Sequence, residues 1–331
     1  MRNASTFERH HLQIIVTMFG AAALAAAGGF WFEPSPARAQ AEAARCRPSP
    51  SERGSPMCKV PAGEFWMGAN RKIKDSCDDD EKPGRMVRMV EYYIDQHEVT
   101  VAEYKECVES GCCSPEGLNM PFWMGTEQPG TAWACNWGKL DRKDHPINCL
   151  SWEQARAYCS WAGKRLPSEA EWEKAARGVD GRIYPWGNQG IVSLGKKKKA
   201  VGNFADQTAQ KKIPRGNAIK HYRDGYISTS PVESFPLGRS PFGLYDSIGN
   251  VWEWCSDGYD PDFHKNTPDK NPKGPASARY RTVRGGSWIS KEETLRTSYR
   301  FGEWPPGRNA NVGFRCAVSL HELTKQRPAC K

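Results

Sequence analysis

Apolar residues recur at helical spacing in three short stretches, each opened by a hydroxyl residue with an acid or amide three places on. Thr100 and Glu103 make such a capping box, ahead of Val101, Tyr104 and Val108 on one face and Gly111 as a stop. Ser151 and Gln154 open a second helix, which carries Trp152, Ala155 and Cys159 inward and stops at Gly163. Ser168 and Glu171 open a third, burying Trp172, Ala175 and Ala176 before Arg177-Gly178. Pro167 disfavours one continuous helix through Leu166. From Tyr184 onward the pattern changes to turns and short alternating runs. "VWEW" and "RTVR" read as half-buried strands, as does the glycine-broken "VPAGEFWMG" near the start. Helices early and irregular β structure late define an α+β domain.

Composition supports a loop-rich fold pinned by aromatics: the 331 residues include Gly 31, Pro 24 and Trp 13, with a mean hydropathy of -0.71. One domain is expected over residues 60–320, after a linker at 40–59 and before a tail at 321–331. The first 39 residues read as a signal peptide. Arg2 and Arg9 precede an apolar run from Leu12 to Phe32, and Pro36-Ala37-Arg38-Ala39 offers a small-x-small cleavage site. The alternative is an uncleaved membrane anchor, since the run is long enough to cross a bilayer. No other segment reads as a membrane span, so a periplasmic or secreted location is expected. The net charge is +9, with much of the surplus in Lys196 to Lys199 and Lys211-Lys212. No aromatics interleave with these lysines, which makes them a solvated loop and not a nucleic-acid patch. The run Asp78-Asp79-Asp80-Glu81 likewise reads as a solvated loop.

All 12 cysteines lie beyond the cleavage site, and an even number in an exported chain reads as a disulfide set with no free thiol. Cys46 and Cys58 flank a proline- and serine-rich segment and could close a local loop. The adjacent Cys112 and Cys113 are expected to join two separate partners, since C-x-x-C spacings with histidines are missing.

The runs "GEFWMG", "YYIDQHEVTVAEY", "HPINCLSWEQARAYCSWAGKRLPSEAEWEKAARG", "YPWGN", "FGLYDSIGNVWEWCSD", "VRGGSW" and "NVGFRCA" occur in this order. Together they closely resemble the formylglycine-generating enzyme (sulfatase-modifying factor) family, from about Val60 to Val318. The resemblance implies a variant of the C-type lectin fold with little regular secondary structure. It also implies a disulfide between Cys159 and Cys316. Members that oxidise a sulfatase cysteine hold copper(I) between two cysteines five residues apart, directly after the Gly-Gly-Ser-aromatic run. Those two places here are Ser290 and Leu295. Thiolates suit a soft monovalent ion; a hydroxyl and an isobutyl group do not. Copper chemistry and formylglycine generation are therefore not expected.

Other implied features survive. Ser287 and Asn311 stand where active members have a polar floor, although a serine in a tight turn can also serve only its own backbone. The family binds calcium through an asparagine and the next carbonyl, then an aspartate and a nearby carbonyl. Asn203, Phe204, Asp224 and Tyr226 fit that order, and Asn250 with Glu253 fits a second site. Hard oxygens on irregular loops are what calcium requires. The competing reading makes Asn203 and Asp224 turn residues and pairs Glu253 with an arginine.

Two functions follow. One is an exported binding module that holds a protein, peptide or glycan on the former active-site surface, where Ser287, Trp288, Ser290 and Asn311 are expected to converge. Trp123, Trp133, Trp137, Trp288 and Trp304 are candidate contacts, with core packing as the competing role. The alternative is an atypical metal-dependent oxidase acting on a peptide or siderophore-like substrate, for which iron is not excluded. His97, His145, His221, His264 and His321 show no pairing of the H-x-x-x-H kind, which makes an iron site weak.

Overall fold

The computed structural model describes residues 46–49, 53–70, 77–191, 200–213 and 218–322. The signal-peptide reading, residues 40–45 and 50–52 of the 40–59 linker, Lys196 to Lys199 and most of the tail lie outside them. The three helices form where their caps place them: α1 (Val101–Glu109), α2 (Trp152–Trp161) and α3 (Glu169–Arg177). In each, the hydroxyl accepts the N–H three residues on, while the acid or amide there reaches back, so two orphan donors are satisfied at once.

The strands are short. β1 (Met57–Val60), β4 (Tyr92–Asp95) and β11 (Ala317–Ser319) make an antiparallel sheet in the order β1-β4-β11. β2 (Gly63–Met67) pairs with β3 (Arg85–Met89), and a small ribbon joins β5 (Phe122–Trp123) to β6 (Thr126–Glu127). The remaining sheet runs β10-β7-β8-β9, from β10 (Val312–Gly313) through β7 (Trp252–Gly258) and β8 (Arg281–Arg284) to β9 (Arg300–Glu303). A four-residue helix, α4 (Phe263–Asn266), follows β7. The ordered fold starts earlier than the expected boundary at Val60. β1 is buried against β4, and Arg47 bridges Met57 beside the Cys46–Cys58 disulfide. Proline and serine at 48–56 hid that start.

α3 departs most from its sequence pattern. Its charges suggest a wet face, yet all nine residues are buried. Arginines from β8 and β9 make this possible. Glu169 takes Arg300 through both oxygens at 2.7 and 2.8 Å, and Glu173 takes Arg177 at 2.6 Å and Arg284 at 2.5 Å. Removing one partner of such a buried pair costs about 3–5 kcal/mol, because the other charge is stranded. Glu81 belongs to the same kind of pairing. It is fully buried against Arg296, and Asp80 accepts the Tyr259 hydroxyl at 2.6 Å, so the acidic run is not the solvated loop its composition suggests. Only Asp78 and Asp79 at its start are exposed.

Disulfides join Cys46–Cys58, Cys107–Cys113, Cys135–Cys149 and Cys159–Cys316, and Cys112 is also disulfide-bonded. The last of the four ties α2 to the residue before β11, as the resemblance implied; closing a loop of 157 residues adds roughly 2–4 kcal/mol. The expectation of no free thiol is overturned: Cys77 and Cys255 are free and buried. Parity of the cysteine number cannot see which thiols the fold buries unpaired. Burial pushes both thiols up from their ordinary range. Among the described residues, no helix is long and apolar enough to cross a membrane.

Candidate functional site

β8 runs directly into Gly285 and Gly286, whose φ values of 96° and 74° need glycine. A Cβ on Gly285 would lie 2.8 Å from the Ser247 carbonyl and 3.0 Å from the Trp172 ring. One on Gly286 would meet Leu295 Cδ2 at 2.7 Å and Ser290 Oγ at 3.3 Å. The glycine pair thus lets the chain turn off the sheet and fold back, so that Ser290 and Leu295 arrive at one point. The Ser290 hydroxyl accepts the Ser287 N–H at 2.9 Å and lies 3.3 Å from Ser287 Oγ, which in turn accepts from Asn311 Nδ2 at 3.4 Å. Leu295 is fully buried in a cluster with Trp172, Tyr184, Phe204 and Cys255. The two positions converge, and what they offer is a hydroxyl and a hydrocarbon.

The expected ligand surface is corrected in one respect. Ser287, Trp288 and Ser290 are buried, at 0%, 3% and 8% exposure, so they do not present a face to solvent. Ser287, Ser290 and Asn311 do meet, but Trp288 points elsewhere. It packs on Ala134, Cys135, Cys149 and Ala310, donates to the Ala310 carbonyl at 3.2 Å and meets Trp133 edge-on. Trp288 is thus a core pin, whereas Trp123, Trp133, Trp137 and Trp304 are half-buried: Trp304 contacts Phe122 and Trp123, and Trp137 packs on Tyr104. The open surface lies beside them. Ile289, 43% exposed, borders a small hollow with Ala205, Ala209 and Ile213. Ala218 connects it to a trough of about 610 Å³ bounded by Lys220, His221, Lys291 and Glu292. The Glu292 carboxyl is raised by burial and by Glu293.

The first calcium set is brought together. Asp224 accepts the N–H of Phe204 and of Tyr226, each at 2.9 Å, and Asn203 Oδ1 is buried without a hydrogen-bond partner. Burial, with Asp206 nearby, raises the Asp224 carboxyl to about 7. An orphaned amide oxygen on the residue before Phe204, whose N–H a half-buried carboxylate accepts, fits a hard cation. The second set does not fit. Asn250 Oδ1 accepts from Ser230 N and Asn203 Nδ2, while Glu253 takes Arg315 at 2.6 and 2.7 Å and Trp172 Nε1 at 2.7 Å. Glu253 is therefore the arginine partner of the competing reading. Sequence reasoning missed Asp246, whose buried Oδ1 lacks a partner and whose carboxyl burial raises to about 6. Its φ of 53° in "YDSIGN" belongs to a turn, which is how the pattern reads it. The histidines do not gather. His97 Nδ1 lies 2.8 Å from the Glu98 carbonyl, His145 lies 3.0 Å from the Thr229 hydroxyl, and His264 is buried against Phe263. Among the described residues, no three His, Cys, Asp or Glu side chains are grouped to hold a metal ion.

Residues 42–320 match the family described as Sulfatase-modifying factor enzyme 1-like domain. The chain belongs to this family. Formylglycine-generating enzyme of Bos taurus is 34% identical over 306 residues, covering 82% of this chain and 76% of the relative. The Streptomyces coelicolor enzyme of the same name is 33% identical over 86% of this chain and 95% of its own length. Inactive C-alpha-formylglycine-generating enzyme 2 of Bos taurus is similar at 32%, over 79% of this chain and 87% of the relative. Among solved structures, PvdO from Pseudomonas aeruginosa superposes with a TM-score of 0.62 at 24% identity, covering 80% of this chain and 95% of its own. That likeness supports the fold: few helices, short strands and long loops.

Proposed function

We propose that this protein is an exported, periplasmic or secreted member of the sulfatase-modifying factor family that does not generate formylglycine. It binds a protein, peptide or glycan along the groove that runs from Ile289 to Lys291 beside the former metal position. Calcium at Asn203 and Asp224, with the carbonyls of Phe204 and Tyr226, holds the loops behind that groove.

The carrying observation is the convergence of Ser290 and Leu295 on Gly286. The backbone keeps the geometry that would bring two ligands together, while neither side chain gives a thiolate for copper(I). The free thiols do not substitute, since Cys77 and Cys255 are buried and raised in pKa. Relatives bearing the name of an inactive enzyme at 32% identity support the reading. Its test is a copper(I) competition titration against a chromogenic chelator. The native protein is expected to leave the chelator complex intact, and the double variant Ser290→Cys with Leu295→Cys to take up one copper(I). Uptake by the native protein at this site would overturn the reading.

A further inference from the structure

The hollow beside Ile289 is walled by hydrocarbon from Ala205, Ala209, Ile213 and Ala218. Its one acid, Asp206, is already occupied. Oδ1 accepts the N–H of Thr208 and of Ala209 at 2.7 and 2.8 Å, and Oδ2 accepts the N–H of Asp224 at 2.9 Å. Among the described lining side chains, only Gln210 is left to offer a hydrogen bond, and no aromatic ring is present to stack on. A hydroxyl-bearing sugar ring would lose its hydrogen bonds to water there without gaining others. The hollow measures about 30 Å³, room for two or three water-sized spheres at about 10–15 Å³ each. One small aliphatic side chain suits it.

The walls are tied together by backbone. The Ala205 N–H donates to the Ser290 carbonyl at 3.3 Å, and the Ile219 N–H donates to the Ala205 carbonyl at 2.6 Å. This ladder fixes residues 218–221 against the turn that follows Gly286, and the trough of about 610 Å³ lies between those two segments. Its volume falls within the range of ligand sites, about 300–1,000 Å³. Walls held in this way need little ordering when a ligand arrives.

Charge sets the preference. Lys220 and Lys291 are exposed on opposite walls of the trough, and neither has a hydrogen-bond or ion-pair partner among the described residues. Lys211 and Lys212, also exposed, lie in the chain between the hollow's Gln210 and Ile213, and the Lys212 ammonium stands 5.4 Å from the centre of the Trp133 ring. Two acids, Glu292 and Glu293, share the trough. Four lysines against two glutamates leave an excess of two positive charges. Unpaired cations on both sides of an aliphatic hollow are complementary to an acidic chain with an apolar anchor.

The geometry points to an acidic peptide as the ligand of this groove, an inference that rests on the binding role proposed above. One small aliphatic side chain sits in the hollow against Ile289, and carboxylates before and after it face Lys211, Lys212, Lys220 and Lys291. Fluorescence anisotropy of the purified protein with fluorescein-labelled Glu-Glu-Val-Glu-Glu, Gln-Gln-Val-Gln-Gln, Lys-Lys-Val-Lys-Lys and Glu-Glu-Gly-Glu-Glu tests it. The first is expected to bind at low salt with a Kd of about 100 µM or tighter, and the others at least about ten-fold more weakly. Its advantage over the glutamine peptide should vanish in about 1 M salt, where charges are screened beyond about 3 Å. Lys220→Glu with Lys291→Glu should weaken it at least about ten-fold, Glu292→Gln with Glu293→Gln should tighten it, and Lys105→Glu on α1 should change nothing. Ile289→Ser should weaken it several-fold and erase the preference for valine over glycine. Equal affinity for the glutamine peptide, lost in Ile289→Ser, would refute the acidic ligand while leaving the groove as the binding surface. Peptide binding that the Ile289 and lysine variants leave intact would refute the groove itself. Binding of dextran sulfate but of no peptide would assign the surface to an anionic glycan and overturn the inference, as would no binding at all.

Discussion

Glu303 ends β9 with a buried carboxyl that has no ion-pair partner among the described residues. It accepts the Trp304 N–H at 2.7 Å and Asn309 Nδ2 at 2.9 Å, and burial raises it to about 7 from an ordinary 4.5. A carboxyl whose folded pKa is raised favours the protonated fold. Its penalty is absent below the unfolded pKa near 4.5, grows as pH rises, and is complete above 7. The difference of about 2.5 units corresponds to roughly 3 kcal/mol at 1.36 kcal/mol per unit. Glu303→Gln keeps the shape and removes the charge, and its amide can still accept from Trp304 if Asn309 flips to accept from it. At pH 8 the variant should therefore be more stable than the native protein by about 2–3 kcal/mol, or roughly 4–10 °C in Tm for a domain of this size. At pH 4.5 the two should agree. Thermal unfolding of both proteins at several pH values is the assay. Equal shifts at both pH values, or a variant that is less stable at pH 8, would refute this account of the site.

The remaining predictions use other parts of the fold. Alkylation of the native protein should label neither Cys77 nor Cys255, and alkylation in denaturant without reductant should label both. Calcium should raise Tm by binding only the folded state, and Asp224→Ala should abolish that rise; an unchanged response in the variant would remove calcium from this site. Arg315→Met strands Glu253, which has no other cation bound to it among the described residues, and should cost about 3–5 kcal/mol in a denaturant titration.

What the sequence revealed was local, and what it concealed was distant. The capping boxes at Thr100, Ser151 and Ser168 need only three residues each, so all three helices start where the pattern puts them. The Gly285-Gly286 turn is equally local, and with the family resemblance it located Ser290 and Leu295. The acids were misjudged because their partners lie far along the chain. Glu81 meets Arg296 at a separation of 215 residues and Glu253 meets Arg315 at 62. Without those arginines, both acids read as solvated or as metal ligands. The expected ligand surface failed for a related reason. Whether Trp288 faces solvent depends on Ala134, Cys149 and Ala310, which no spacing around "GGSW" reports.

The central claim is that Ser290 and Leu295 leave this fold without the chemistry of its active relatives. Incubating the purified native protein with a Cys-x-Pro-x-Arg peptide, oxygen and copper, then trapping any aldehyde as an oxime for mass spectrometry, tests it most directly. The unmodified cysteine peptide should be recovered, with and without copper. An oxime-bearing peptide formed in proportion to the protein would contradict the account and place the oxidation on other residues.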